Sequence, residues 1–201
     1  MSALAPPTSF CLRGAHGTDV SGVAWVRPAA VSDRSALVRA RPPVLDIGCG
    51  PGRHVVALAE LGVPALGIDI TPLALTAARA RGALVLERSV FARIPGDGRW
   101  GSALLLDGNV GIGGDPATLL RRVTRLVRPT GRVIVEFGPP GLCGTVRTVR
   151  LESGAGYGPW FRWADVSIDR VHSLAATVGR RVLERWCSDD GRWFACLGMG
   201  P

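Results

Sequence analysis

The stretch "VLDIGCGPGRH", Val44 to His54, runs from apolar residues through a carboxylate into glycines at alternate positions. Val44–Ile47 is short and apolar enough for a buried strand, and Gly48 ends it. Gly48, Gly50 and Gly52 allow backbone conformations and close approaches that any side chain would block. Beyond Gly52 the apolar spacing turns helical, so the loop feeds a helix whose first amides have no partner within it. A strand, a bare-backbone loop and a helix start make a cradle for a ligand held against main chain.

The register of the glycines distinguishes two kinds of ligand. A dinucleotide loop has the form G-x-G-x-x-G, but counting from Gly48 puts Arg53 where its third glycine belongs. The pattern present is D-x-G-x-G-x-G, with Asp46 two positions ahead of Gly48. In this form "LDIGCGPGRH" resembles motif I of the class I S-adenosylmethionine (SAM) dependent methyltransferases. The resemblance implies an α/β fold: a Rossmann-like, doubly wound, mostly parallel sheet of seven strands with a C-terminal antiparallel hairpin. It also implies S-adenosyl-L-methionine as cofactor. A carboxylate near the loop suits a ligand with an ammonium and a sulfonium better than one with a pyrophosphate.

Outward from this loop, short buried-type strands alternate with helical spacing, as in a parallel sheet covered on both faces. Strands are expected at about 43–47, 64–69, 83–87, 102–107 and 132–137, and a closing hairpin at 181–186 and 192–197 around "CSDDG". Thr71-Pro72 and Asp115-Pro116 each place a capping oxygen before a proline at the first helical position. After Pro116, Leu119, Leu120, Val123, Leu126 and Val127 share a face, leaving Arg121, Arg122 and Arg125 for solvent. Further helices are expected at 164–178 and, weakly, at 31–40, and the helix usual between the third and fourth strands is reduced to a turn. "LVRPTGRVIVEF" extends the resemblance, which covers residues 43–198. Residues 1–42 are expected as an N-terminal extension or lid, and 43–201 as the methyltransferase domain.

By the same resemblance, the cofactor is expected at Asp46, Gly48, Cys49, Gly50 and Gly52 of the loop. Asp69 and Ile70 follow the second strand, and Asp69 stands 23 residues after Asp46. There a carboxylate accepts both ribose hydroxyls; with Thr71 as the helix cap, Asp69 is left for the ligand. Ser89, Val90 and Phe91 fall near the adenine, where a hydroxyl bonds the base edge and a ring packs on its face; the alternative for Phe91 is ordinary core packing. Asp107 and Asn109, after the fourth strand, are the candidate catalytic residues beside the transferred methyl; the alternative is a turn whose side chains satisfy local backbone. Cys49 needs no catalytic role, since that position takes many small residues in the family.

The acceptor is less legible. Methyl transfer is an in-line displacement, so positioning and water exclusion dominate. A hydroxyl acceptor needs a group for its proton, and His54, Asp107 and His172 are the candidates, with Asp107 preferred. "DGNV" after the fourth strand lacks the proline-proline-aromatic motif of amino-methylating nucleic-acid enzymes. "FGPPGLCG" is similar to the loop of cytosine-5 methyltransferases, but its spacing differs, which leaves Cys143 a loop cysteine. The aromatic cluster Tyr157, Trp160, Phe161 and Trp163 either lines a small-molecule site or packs a hairpin. A small-molecule acceptor is expected; the alternatives are SAM binding without transfer, or a nucleic-acid methyltransferase.

Composition narrows the classes. The chain has 201 residues, 47% of them hydrophobic, enough for one sizeable core. The net charge of +8 comes from 24 basic residues, all arginine and scattered, whereas charge-driven nucleic-acid binding uses a concentrated stripe. Five cysteines at irregular spacing, with no C-x-x-C pair, argue against a disulfide framework or a zinc site. The N-terminus lacks the apolar core of a signal peptide, and no run approaches the roughly 20 residues of a membrane span. A soluble cytoplasmic protein without bound metal is expected.

Overall fold

Every residue of β3 (Val44–Ile47) and of β6 (Trp100–Leu105) is buried, as strands covered on both faces must be. A computed structural model describes residues 10–15, 19–21 and 23–200. Around these two strands, α2 (Arg53–Glu60), β4 (Ala65–Asp69), α3 (Pro72–Ala80) and β5 (Val85–Glu87) follow β3. After β6 come α4 (Pro116–Leu126), β7 (Val127–Phe137), α5 (Val171–Thr177), β11 (Arg181–Cys187) and β12 (Trp193–Gly198). Together the strands form a seven-stranded sheet in the order β11-β12-β7-β6-β3-β4-β5. Its five central and edge strands β3 to β7 run parallel, and the β11–β12 hairpin joins antiparallel.

Alternate residues feed opposite layers. Leu45, Ile47, Ala103, Leu105, Val133 and Val135 pack with α4 and α5. Val44, Leu104, Leu106 and Ile134 pack with α2 and with α1 (Val31–Leu37). The expected weak helix is therefore a real one, held by the core through Ala36 and Leu37. Asp115 caps α4 by accepting from the amides of Ala117 and Thr118, and its apolar face is buried as expected. Arg122 departs from the expectation of a solvated face: its guanidinium donates to the carbonyls of Val90 and Ala92 and pairs with Asp97. It thereby pins the turns that connect β5 to β6 without a helix.

A second, antiparallel sheet was not anticipated. It comprises β1 (Cys11–Gly14), β2 (Asp19–Ser21), β8 (Val146–Ser153), β9 (Gly156–Tyr157) and β10 (Phe161–Ala164), in the order β10-β8-β1-β2 with β9 on β8. The helix expected over 164–178 is correspondingly shorter. Ser167 caps a 3-10 turn at Ile168–Arg170, and α5 starts only at Val171. Of the stretch 1–42, the described residues split in two: β1 and β2 belong to the small sheet, and α1 packs on the large one.

The small sheet meets the large one at a tight crossing. Asn109–Gly111 forms a 3-10 turn after β6, the Gly113 amide donates to the Arg162 carbonyl, and Ile112 bridges to Trp163. A Cβ on Gly111 would stand 2.0 Å from the Ala164 carbonyl oxygen, inside any permitted contact. Gly111→Ala is expected to lower folding stability by about 1–3 kcal/mol, measured by urea denaturation, because backbone and not a flexible side chain must move.

Candidate active site

The large sheet reverses its winding between β3 and β6, where the chain leaves toward β4 on one side and returns toward β7 on the other. Ligands of open α/β sheets bind outside the carboxyl ends of the strands at such a point. A cavity opens there. Its wall includes Gly48, Cys49, Gly50, Asp69, Ile70, Ser89, Val90, Phe91, Asp107 and Asn109, so ten of the expected positions meet in one place. Asp46 and Gly52 do not reach the wall.

The glycine loop is shaped by its neighbours. Gly48 has φ +71°, and a Cβ there would lie 2.8 Å from Asn109 Nδ2. That Asn109 amide donates to the carbonyls of Ile47 at 2.8 Å and Gly48 at 3.0 Å, bracing the end of β3. At Gly50, φ +49°, a Cβ would meet nothing within 4 Å, so bare backbone faces open space. The Gly50 amide donates to Asp69 Oδ2 at 2.9 Å, and the Thr71 amide to Asp69 Oδ1 at 2.8 Å. Thr71 makes no side-chain cap, so the expectation that it frees Asp69 is corrected: Asp69 itself serves the start of α3. Burial raises the Asp69 pKa, and the amides of Gly50 and Thr71 pull it back. Cys49 packs on Gly67, and burial, then the charges of Asp69 and Asp46, push its thiol well up, leaving it inert.

Behind the loop lies a buried ion network. Asp33 of α1, 2% exposed, accepts from Arg53 Nη2 at 3.0 Å, Arg192 Nη1 at 2.7 Å and the Ala30 amide at 2.8 Å. Arg53 Nη2 also reaches Asp107 Oδ1 at 2.6 Å, and Arg192 Nη2 reaches Glu136 at 2.6 Å and Asp107 at 3.3 Å. Glu136 in turn accepts from the Asp107 amide at 2.6 Å. This clamp holds Asp107 at φ 56°, the left-handed region that non-glycine residues seldom enter.

His54 is buried between two carboxylates, with Nε2 at 3.4 Å from Asp33 and Nδ1 at 3.6 Å from Asp46. Burial pushes its pKa down, but the carboxylates of Asp33 and Asp46 outweigh it and raise the value to about 9. The Asp33 carboxylate at hydrogen-bond distance and the Asp46 carboxylate at 3.6 Å both favour the imidazolium. Against the burial that would raise it, His54 and Arg53 hold the Asp33 carboxyl well below the ordinary carboxylate range. His54 is thus fixed behind the loop, and His172 lies exposed on α5, away from the cavity wall. Cys143 is exposed on the connection after β7 and likewise outside that wall.

Asp33, His54 and Asp107 bring three ligand-type atoms within 4.8 Å of one another, a cluster that no sequence spacing suggested. Arg53 and Arg192 already stand on both carboxylates and supply positive charge between them. Asp33, Arg53, Glu136 and Arg192 are the site residues that sequence reasoning missed as a group. They come from four separate segments, so no local pattern joins them. Of the aromatic cluster, Phe161 and Trp163 line the cavity, while Tyr157 and Trp160 are exposed and sandwich the Arg150 guanidinium at 4.2 and 4.5 Å.

Residues 44–131 match the family model of a methyltransferase domain. That stretch, less than half of the chain, is similar to a methyltransferase domain. An uncharacterized protein of Mycobacterium tuberculosis (strain ATCC 25618 / H37Rv) is 29% identical over 203 residues, which span 92% of this chain and 67% of that protein. This chain therefore covers about two thirds of that relative's length. Among solved structures, a SAM-dependent methyltransferase from Bacteroides fragilis in complex with S-adenosyl-L-homocysteine shares the fold with a TM-score of 0.77 at 22% identity, covering 97% of this chain and 89% of its own. The glycopeptide N-methyltransferase MtfA, complexed with S-adenosylhomocysteine, shares it with a TM-score of 0.66 at 15% identity, covering 87% and 91%. Among the described residues, no helix is long and apolar enough to cross a membrane.

The His54 geometry fixes a pH dependence. Folding raises its pKa from 6.5 to about 9, so its stabilisation is complete below pH 6.5 and is lost as pH rises through 9. Urea denaturation at pH 6 and pH 9.5 is expected to show a loss on the order of 1–3 kcal/mol from this group. His54→Gln is expected to flatten that difference; an equally steep profile in the variant assigns it elsewhere.

Proposed function

We propose that this chain binds S-adenosyl-L-methionine and transfers its methyl group to a small-molecule acceptor. The observation that carries the reading is the single cavity at the β3/β6 switch point, which joins the Gly48–Pro51 backbone, Asp69, Ser89–Phe91 and Asp107. Its features fit the cofactor. The open space beyond Gly50 admits a ligand onto bare main chain. Asp69 spends one lone pair of each oxygen on an amide and keeps the others for two ribose hydroxyls. Ser89 Oγ accepts from the Phe91 amide at 3.3 Å and retains its own hydroxyl proton to donate to a base edge. Phe91, half-exposed on the rim, offers its ring to the adenine.

When bound, the cofactor supplies a methyl group on a cationic sulfur. The protein's part is to hold the acceptor in line with that methyl and to keep water away. Asp107, clamped by Arg53 and Arg192, marks the junction between the cofactor half of the cavity and the rest. It is the residue we assign to orienting the acceptor and, for a hydroxyl, to receiving its proton. Asn109 acts one step back: with its amide spent on Ile47 and Gly48, it positions the loop. Within the 1–42 stretch we assign the lid role to β1, which contributes Leu12 to the cavity wall, while α1 anchors the ion network.

Isothermal titration with SAM tests the cofactor, and release of S-adenosylhomocysteine in the presence of acceptor candidates separates transfer from binding alone. A chain that takes up no SAM refutes the reading. Asp69→Ala is expected to weaken S-adenosylhomocysteine binding tenfold or more, through lost ribose bonds and a loosened Gly50. Unchanged affinity in that variant puts the ribose elsewhere.

A further inference from the structure

We infer that the methyl acceptor is a flat, mostly apolar ring molecule that presents one nucleophilic nitrogen or oxygen to the Asp107 end of the cavity. The inference rests on the methyltransferase reading and goes on to name its substrate class. Away from the glycine loop, the cavity is walled by Leu12 of β1, Leu151 of β8, Phe161 and Trp163 of β10, Trp25 and Ile112. Five of these six lie outside the 44–131 stretch that matches the family model. The acceptor half is therefore built by the small sheet of this chain and not by the shared methyltransferase core.

The chemistry of that wall is one-sided. Leu12, Leu151 and Trp163 are 4%, 7% and 8% exposed, so the hydrocarbon surface is fixed by packing against the small sheet and α3. Phe161 and Trp163 meet edge to face, with centroids 6.1 Å apart, which leaves ring faces available for stacking. Beyond two indole N–H groups, these six side chains offer no hydrogen-bonding atom. The charged side chains on the cavity wall are Arg53, Asp69, Arg88 and Asp107, and Arg53 and Asp107 are paired with each other at 2.6 Å. A sugar or an amino acid entering here would strip water from several polar groups and find no partners for them. A fused aromatic ring loses nothing of that kind and gains contact on both faces. Its one polar atom can stand at Asp107, on the border with the cofactor half.

The test uses the full chain with three small probes. In calorimetric titrations of the protein saturated with S-adenosylhomocysteine, 2-naphthol and indole are expected to bind at least tenfold more tightly than glucosamine. Phe161→Glu, which puts a carboxylate on a partly buried wall position, is expected to weaken 2-naphthol at least fivefold while leaving S-adenosylhomocysteine affinity within twofold. Trp25→Ala repeats the test at a second wall position should the first variant not fold. If glucosamine binds as well as 2-naphthol, or if both variants leave 2-naphthol affinity unchanged, the aromatic acceptor is overturned while the cofactor site stands. If S-adenosylhomocysteine itself does not bind, the methyltransferase reading fails and the acceptor assignment fails with it.

Discussion

Two guanidinium groups, Arg53 buried and Arg192 partly buried, tie the site together. Arg53 opens α2 directly after the glycine loop, and Arg192 precedes β12; between them they hold carboxylates from α1, β7 and the turn after β6. Such groups are costly to remove from water, and the cost is met only when every partner is in place. Deleting one member of a buried set strands the others, typically at about 3–5 kcal/mol. The network therefore behaves as a unit, coupling the position of Asp107 to the seating of α1 and of the C-terminal hairpin. Arginine suits the task because its planar fork reaches two carboxylates at once, as Arg53 does.

The same coupling explains how a parallel sheet and a distant antiparallel one share a cavity. The large sheet supplies its carboxyl-end loops, and the small sheet supplies a roof drawn from residues 11–14, 19–21 and 146–164. The 3-10 turn at Asn109–Gly111 stands between them. On one side its Asn109 amide braces the glycine loop; on the other its Gly111 admits the Ala164 carbonyl. One three-residue turn thus sets the distance between the backbone cradle and the apolar wall.

How much of this was legible in the sequence follows from how local each signal is. The large sheet was readable because its strands are continuous apolar runs and its helices carry their own caps, as at Asp115-Pro116. The small sheet was not, because Cys11 pairs with Glu152 and Arg13 with Arg150, partners about 140 residues apart with no turn between them to announce the pairing. Its β8 also shows only a short alternation, with Val149 and Leu151 buried, in a stretch rich in arginine. The loop and Asp69 were readable from spacing, since both lie at strand ends in adjacent βα units. The ion network was not, because charges from positions 33, 53, 107, 136 and 192 become meaningful only once the fold has gathered them.

Asp46 shows how the structure changes the physical reason behind a correct register. Its place ahead of the glycines suggests a favourable field for a cationic ligand, yet the residue is fully buried behind the loop, with no hydrogen-bond partner for either oxygen and His54 at 3.6 Å. A carboxylate in that setting is neutralised by the imidazolium beside it, and its role is to hold the end of β3 to α2. The network as a whole still carries a negative excess: Asp33, Asp46, Asp107 and Glu136 are four carboxylates against three cations, Arg53, Arg192 and His54. The charged side chains on the cavity wall are Arg53, Arg88, Asp69 and Asp107, two of each sign. Asp46, ahead of the glycines, therefore shapes the loop from behind, and the charge inside the cavity comes from other residues.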